Sequence, residues 1–170
     1  MTALKKGFTL IELLIVMAIL GVLAVVVLVA INPAEQMRRA RDSGRISGAQ
    51  QIGRAIQAYY TGNGVLPGVG ANPWNTDLVN AQELTQMPAG IAPSGEATGC
   101  ASGAVNSTWC FAFTAPSTFA LYSQLFSQQR IQQCVTAGFT APAYSIFSSV
   151  AGRGGIFCGG EPVAGSVPSI

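Results

Sequence analysis

The feature that most constrains this chain is an uninterrupted apolar run near its start. Residues 13–31 read LLIVMAILGVLAVVVLVAI and contain no charge. A helix of that length spans about 28 Å, close to the thickness of a bilayer's hydrocarbon core. A buried helix of a soluble protein is seldom apolar on every side for so long. The run therefore predicts a membrane-spanning helix.

The flanking charges leave the orientation of this helix open. Lys5 and Lys6 precede the run, as in the basic region of a secretory signal. The run is too long for a conventional signal peptide, and no small-residue cleavage site follows it, so we expect it to stay on the protein. The positive-inside rule places the two lysines in the cytoplasm, but Arg38, Arg39 and Arg41 on the other side oppose that orientation.

The composition argues against an enzyme. Only nine basic and seven acidic residues occur among 170, and histidine is absent. Histidine-dependent catalysis and every zinc site that contains histidine are therefore excluded. No paired acids and no phosphate-binding glycine loop in a strand–helix context are found, so we expect no catalytic residues, no metal and no cofactor. A net charge of +2 does not favour nucleic-acid binding.

One acid at the edge of the run carries a functional signal. Glu12 is costly in a membrane segment, and such residues are functional candidates by default. The string KKGFTLIELL at residues 5–14 resembles the amino terminus of type IV prepilins and pseudopilins, the class with a prepilin-type cleavage and methylation motif. The resemblance is strong over residues 1–31, loose over 34–60, and limited to layout beyond.

The resemblance implies roles for three residues. A membrane prepilin peptidase would cleave between Gly7 and Phe8, and the new amine of Phe8 would be N-methylated. Glu12 would pair with the Phe8 amine of a neighbouring subunit in a filament. Each of these charges is expensive alone in apolar surroundings, so their pairing would select one register of the helices.

The resemblance also implies an α+β, pilin-like fold, in which a long amino-terminal helix packs on a small antiparallel β-sheet head. The long helix would have a membrane-spanning half and an amphipathic half. The expected divisions are a leader (1–7), a transmembrane and assembly helix (8–31), the amphipathic half (32–60), an αβ-loop (61–98) and a sheet head with disulfides (99–170).

The pattern after the apolar run predicts a second helical stretch over 34–60. Ala49, Ile52, Ile56 and Tyr59 recur at helical spacing, and the sequence at 61–64 is expected to end the helix. Asn32-Pro33 either kinks the long helix or begins a second one, with Asn32 as its cap. Glycines in this stretch indicate flexibility or close helix approach. They are Gly44, Gly48 and Gly53.

Five arginines lie within residues 38–54, against a single acid, Asp42. We interpret them as a solvated or lipid-facing helix surface, with contact to lipid phosphates or to acids of adjacent subunits as the functional alternative. The arginines are Arg38, Arg39, Arg41, Arg45 and Arg54.

Shorter elements are predicted further on. Residues 76–84 are expected to form a short helix capped by Asn75 or Thr76. Aromatic and β-branched runs predict strands at 109–114, 118–126, 143–150 and 155–158, and the glycine-rich residues 152–155 are expected to form a hairpin turn.

Four cysteines allow three disulfide pairings. We favour Cys100 with Cys110, which closes a short loop, and Cys134 with Cys158, which ties a connection to the last strand. The second pair resembles the carboxy-terminal disulfide loop of many pilins. A metal site is disfavoured, since the cysteines form no CxxC pair and histidine is absent.

These observations favour a structural subunit of a type IV pilus. The alternatives are a pseudopilin of a type II secretion system and a minor pilin for adhesion or DNA uptake. Expected partners are copies of the chain itself in a helical filament, a prepilin peptidase, the pilus or secretion assembly machinery, and membrane lipid before assembly. Nucleic acid is left open without support. The expected location is a single membrane pass, then an extracellular filament or a periplasmic pseudopilus.

Overall fold

The computed structural model describes residues 7–70, 72–88, 100, 104–106, 108–114 and 116–170. Residues 1–6 of the leader, with Lys5 and Lys6, and residues 89–98 of the expected αβ-loop lie outside the described residues. The chain divides into two compact units, Met1–Met37 and Arg38–Ile170. The elements are α1 (Leu10–Ile31), α2 (Pro33–Asn63), α3 (Trp74–Asn80), β1 (Ala104–Asn106), β2 (Trp109–Thr114), β3 (Thr118–Leu125), α4 (Gln128–Thr136), β4 (Ala143–Ser148) and β5 (Arg153–Cys158).

The apolar run forms α1, which starts three residues earlier than the run itself. Its 22 residues make it long and apolar enough to cross a membrane. It ends at Asn32, whose backbone is left-handed with φ 48°. A left-handed residue ends an α-helix, and the following proline disfavours helical geometry at this position.

The alternative in which Pro33 begins a second helix is correct. Proline suits the first helical position, because the amide hydrogen that it lacks would have no partner there. The side-chain oxygen of Asn32 accepts a hydrogen bond from the Glu35 backbone N–H at 3.4 Å and so caps α2. The helix ends at Asn63, within the predicted stop, and Gly64 follows with φ 73°.

Five antiparallel strands form one sheet in chain order, β1-β2-β3-β4-β5. Phe111 lies opposite Leu121, and Leu121 lies opposite Phe147, so these three side chains share one face. They are buried in one cluster with Ile52 and Ile56 of α2. The helical spacing that predicted an apolar face on α2 is therefore confirmed, and that face packs on the sheet.

Two of the four glycines of α2 mark close approach. A side chain at Gly48 would overlap the Trp109 ring, and one at Gly53 would overlap the Phe147 ring. Both rings are almost completely buried. The glycines therefore let two large aromatic side chains of the sheet lie directly on the helix backbone.

The predicted strands agree with β2 to β5 apart from their ends, but two elements were missed and two local predictions are wrong. Strand β1 and helix α4 were not predicted. Helix α3 begins at Trp74 after Pro73 and has no side-chain cap, so Asn75 and Thr76 do not cap it. The last hairpin turn precedes the predicted one and ends at Gly152, with φ 64°.

The glycines that suggested the turn lie within β5, where they admit close neighbours. A side chain at Gly154 would meet Gln50 of α2, and one at Gly155 would meet Pro168. The two glycines thus serve packing on opposite faces of the strand, which the local sequence does not reveal.

The carboxy-terminal segment covers the sheet face that points away from α2. The Tyr122 hydroxyl donates to the Glu161 carboxylate at 2.5 Å. The Ile156 N–H donates to the Ile170 carbonyl at 3.1 Å, so the end of the chain is hydrogen-bonded along the edge of β5. Tyr144 packs edge-on against Tyr122. Burial, and secondarily the Glu161 carboxylate, raises the pKa of the Tyr144 phenol, which stays neutral at physiological pH.

The four cysteines form two pairs in the second unit. Cys134 of α4 is joined to Cys158 at the end of β5, with Cα atoms 5.5 Å apart. Cys100 is joined to Cys110 of β2, with Cα atoms 5.7 Å apart. Each such bond contributes about 2–4 kcal/mol to the stability of a domain.

A buried ion pair connects α2 to the start of α4. Asp42 is 1% exposed and Arg45 is 2% exposed, and Arg45 Nη1 lies 3.3 Å from Asp42 Oδ1. The Asp42 carboxylate also accepts the backbone N–H groups of Phe126 and Ser127, the latter at 2.8 Å. Arg45 donates to the Gln124 carbonyl at 3.1 Å and lies over the Phe126 ring.

This pair corrects the interpretation of the five arginines as one solvated or lipid-facing surface. Arg45 is inside the protein, because it neutralises Asp42 and bonds the end of β3. Asp42 in turn supplies the acceptor for two backbone donors where the chain turns into α4. A count of charges along the sequence does not distinguish Arg45 from its exposed neighbours.

We predict that Asp42→Ala destabilises the second unit by about 3–5 kcal/mol, since it leaves Arg45 buried without its counter-charge. Urea unfolding of the full chain in detergent, followed by the fluorescence of the buried Trp74 and Trp109, measures the change. Adding Arg45→Met should restore a substantial part of the loss.

Glu83→Ala is the matched control, because Glu83 is exposed and its loss should change the unfolding free energy by less than about 0.5 kcal/mol. If Asp42→Ala were as mild as this control, the buried pair would not hold α4 in place.

Candidate functional site

The candidate site lies at the start of α1, where Thr9 and Glu12 form a reciprocal cap. The Glu12 backbone N–H donates to the Thr9 hydroxyl at 3.3 Å. In return, the Thr9 backbone N–H and the Thr9 hydroxyl both donate to Glu12 Oε2, each at 2.9 Å. This arrangement is a capping box, in which residues at the cap and three positions later satisfy each other's donors.

The cap explains how a carboxylate is tolerated beside an apolar helix. The amino-terminal end of a helix carries partial positive charge, which favours an anion there. Two donors from Thr9 also bind Oε2 directly, and the contacts described for Glu12 do not involve Oε1. The carboxylate is therefore held in place on one oxygen, while the other can accept a further donor.

The Gly7–Phe8 peptide bond lies next to this carboxylate. Residues 7–9 precede the helix, and the Phe8 side chain is 88% exposed. A side chain added at Gly7 would meet nothing within 4 Å. Gly7, Phe8, Thr9 and Glu12 line an open groove of about 410 Å³. The bond is thus non-helical and open, as a peptide bond must be to enter a protease.

The apolar side chains of α1 require a cover that the described part of the chain does not supply. No residue of α1 is buried among the described residues. Large side chains are exposed all around it, for example those of the consecutive residues Leu13, Leu14 and Ile15, which point in three different directions. An exposed apolar surface of this extent marks a contact with a membrane or with other helices.

The first unit brings together Gly7, Phe8 and Glu12, which the sequence resemblance singled out. The four cysteines belong to the second unit. The resemblance did not single out Thr9, although a local sequence pattern indicates that Thr9 and Glu12 cap the helix together. Thr9 and Glu12 match the Ser/Thr-x-x-Glu pattern that predicts a capping box just before an apolar run.

Comparison with known proteins supports the importance of this end of the chain. The family described as "Prokaryotic N-terminal methylation motif" matches residues 3–28. The type IV major pilin protein PilE of Neisseria gonorrhoeae is 45% identical over 67 residues, 39% of each chain. A fimbrial protein of Neisseria meningitidis serogroup B is 46% identical over 68 residues, 40% of this chain and 39% of that protein.

A further relative matches over a longer stretch. The fimbrial protein EcpC of Eikenella corrodens is 30% identical over 118 residues, which are 65% of this chain and 76% of that protein. The chain spans about two fifths of the length of the Neisseria relatives. No solved structure matches the chain at a significant level. The methylation motif, the similarity to EcpC along most of its length, and the α+β fold with an apolar amino-terminal helix together establish that the chain belongs to the type IV pilin family.

Proposed function

We propose that this chain is a structural subunit of a type IV pilus, made as a precursor that α1 anchors in the membrane. The observation that carries the proposal is the position of the Glu12 carboxylate, which lies beside an accessible Gly7–Phe8 bond at the start of an uncovered apolar helix. The pilus-subunit names of the Neisseria relatives favour a pilus over a secretion pseudopilus.

The first proposed step is removal of residues 1–7. A prepilin peptidase hydrolyses the Gly7–Phe8 bond, which leaves a carboxylate on Gly7 and an ammonium on Phe8. A methyl donor then transfers one methyl group to the Phe8 nitrogen, which loses a proton in exchange; the secondary amine stays protonated, so its positive charge is kept. The nitrogen then lies one residue before Thr9, whose N–H already binds Glu12 at 2.9 Å.

The second proposed step is assembly, in which Glu12 pairs with the Phe8 ammonium of a neighbouring copy. Packing of the α1 helices supplies the affinity, because lipid and neighbouring helices are the available covers for their apolar surface. The charge pair sets the register, since a helix that slips by one turn would leave both charges unpaired in apolar surroundings.

Because of the capping box, assembly adds a second partner to the Glu12 carboxylate and does not displace the first. Thr9 occupies Oε2, so the incoming ammonium can bind Oε1 without breaking the cap. A carboxylate accepts several hydrogen bonds, and an ion pair adds strength to them. Thr9 thus holds Glu12 at the end of the helix before assembly, and the neighbour completes its coordination.

We predict that Gly7→Leu leaves residues 1–7 attached. The chain itself has room for a side chain at this position, so the defect would arise in the peptidase site and not in folding. Mass spectrometry of membrane-bound protein reads the outcome. Gly21→Leu is the matched control, because position 21 also has nothing within 4 Å, and it should be processed normally. Normal processing of Gly7→Leu would contradict the proposed cleavage site.

We also predict that Glu12→Gln is processed but gives at least roughly tenfold fewer filaments, as expected when a paired charge is lost in an apolar site. Glutamine can still form a capping box, so the helix start is retained. The measurement is the filament yield from sheared cells, relative to membrane-bound subunit.

Thr9→Ala is the converse control, because it removes the cap at a cost of about 1 kcal/mol and keeps the carboxylate. It should still assemble. If Thr9→Ala failed and Glu12→Gln assembled, the role of Glu12 would be capping and the pairing proposal would be wrong.

A further inference from the structure

The last turn of α2 ends in a dipeptide with distinctive chemistry. Asn63 is the last residue of the helix, and Gly64 follows it with φ 73°. Of the six asparagines in the chain, Asn63 alone precedes a glycine. Both residues are exposed, and a side chain added at Gly64 would meet nothing within 4 Å. The dipeptide is therefore open to water on the outside of the second unit.

The end of the helix requires this glycine. A left-handed residue directly after a helix is usually glycine, because other side chains are strained in that conformation. The Gly64 N–H donates to the Tyr60 carbonyl at 2.8 Å and so satisfies one of the free carbonyls of the last turn. The residue that ends α2 thus lacks the side chain that would otherwise shield the amide of Asn63.

An asparagine before a glycine can lose its side-chain amide without an enzyme. The backbone nitrogen of the glycine gives up its proton and forms a bond to the side-chain carbonyl carbon of the asparagine. The bond from that carbon to the amide nitrogen breaks, and the nitrogen takes up a proton and leaves as ammonia. Water then opens the resulting five-membered imide at either carbonyl, which gives aspartate or isoaspartate. A side chain on the second residue hinders the ring closure, and glycine has none.

Two hydrogen bonds of the last turn oppose this reaction in the folded chain. The Asn63 side-chain nitrogen donates to the Tyr59 carbonyl at 2.9 Å, and the attacking nitrogen of Gly64 donates to the Tyr60 carbonyl at 2.8 Å. Ring closure requires both groups to leave these acceptors and turn toward each other. Helix ends fray more readily than helix interiors, so the open state of this turn is the reactive one.

We propose that Asn63 is a site of spontaneous deamidation, and that opening of the last turn of α2 sets its rate. The modification converts a neutral side chain into a carboxylate at the carboxy-terminal end of a helix, where the partial charge is already negative. The product therefore weakens the turn that protected its precursor. Subunits acquire this charge irreversibly as they age, whether or not they assemble as proposed above.

The test incubates the full chain in detergent at mildly alkaline pH in heavy-oxygen water. Digestion in ordinary water and mass spectrometry then identify the asparagines converted during the incubation, since those products carry the heavy isotope. Asn80 is the internal control, because it is also the exposed last residue of a helix, and the Ala81 N–H donates to the Asp77 carbonyl at 3.0 Å. We expect Asn63 to convert severalfold faster than Asn80, whose neighbour carries a methyl side chain. Equal rates would overturn the proposed site.

Gly62→Ala tests the role of the last turn. Gly62 lies within that turn, and a side chain there would meet nothing within 4 Å. Alanine favours the helix over its open state, so deamidation of Asn63 in the folded chain should slow by roughly two- to fivefold. Gly70→Ala is the matched control, because position 70 has equal room and lies outside α2, and it should leave the rate unchanged.

The unfolded chain supplies the reference rate. In concentrated urea, the wild type and Gly62→Ala should deamidate at the same rate, and faster than the folded wild type. An unchanged rate in folded Gly62→Ala, or a wild type that reacts equally fast when folded and unfolded, would show that the turn does not protect Asn63. An equal slowing of folded and unfolded Gly62→Ala would assign the effect to the local sequence. Each of these three results would overturn the proposal.

Discussion

The apolar surface of α1 is the constraint on which the rest of this molecule depends. A helix of 22 residues with no buried residue among those described cannot remain in water, because its exposed side chains would associate. Its cover must come from lipid or from other helices. Within this surface, the Glu12 carboxylate and its two bonds from Thr9 are the polar feature that can distinguish one arrangement of neighbours from another.

The second unit differs from α1, since it buries an apolar core of its own. Gly48 and Gly53 let Trp109 and Phe147 lie against α2, and the carboxy-terminal segment covers the other face of the sheet. The Asp42 carboxylate uses its bonding capacity inside the protein, on Arg45 and on backbone N–H groups. The exposed negative charge of this unit is therefore lower than its sequence suggests. The Asp42 carboxylate, for example, is bound inside the fold and does not face solvent.

Local sequence patterns were sufficient to predict α1, α2 and four strands. They were insufficient where the structure depends on residues far away in the sequence. Helix α4 has few apolar residues, and the N–H of Ser127 before it is held by Asp42, 85 positions away. Gly154 and Gly155 resemble a turn, but they pair with β4, and the absence of a side chain leaves room for Gln50 and Pro168. Arg45 has the same local context as its exposed neighbours. By contrast, the role of Thr9 could have been predicted, since the capping-box pattern is local.

The central claim is that this chain builds a filament through a new amino terminus at Phe8. The most direct measurement is mass spectrometry of the main subunit in filaments sheared from the cell surface. The account predicts this chain without residues 1–7, with one methyl group on the Phe8 nitrogen and with the pairs Cys100–Cys110 and Cys134–Cys158 oxidised. Filaments whose main subunit is another protein, or in which this chain retains Gly7, would contradict it.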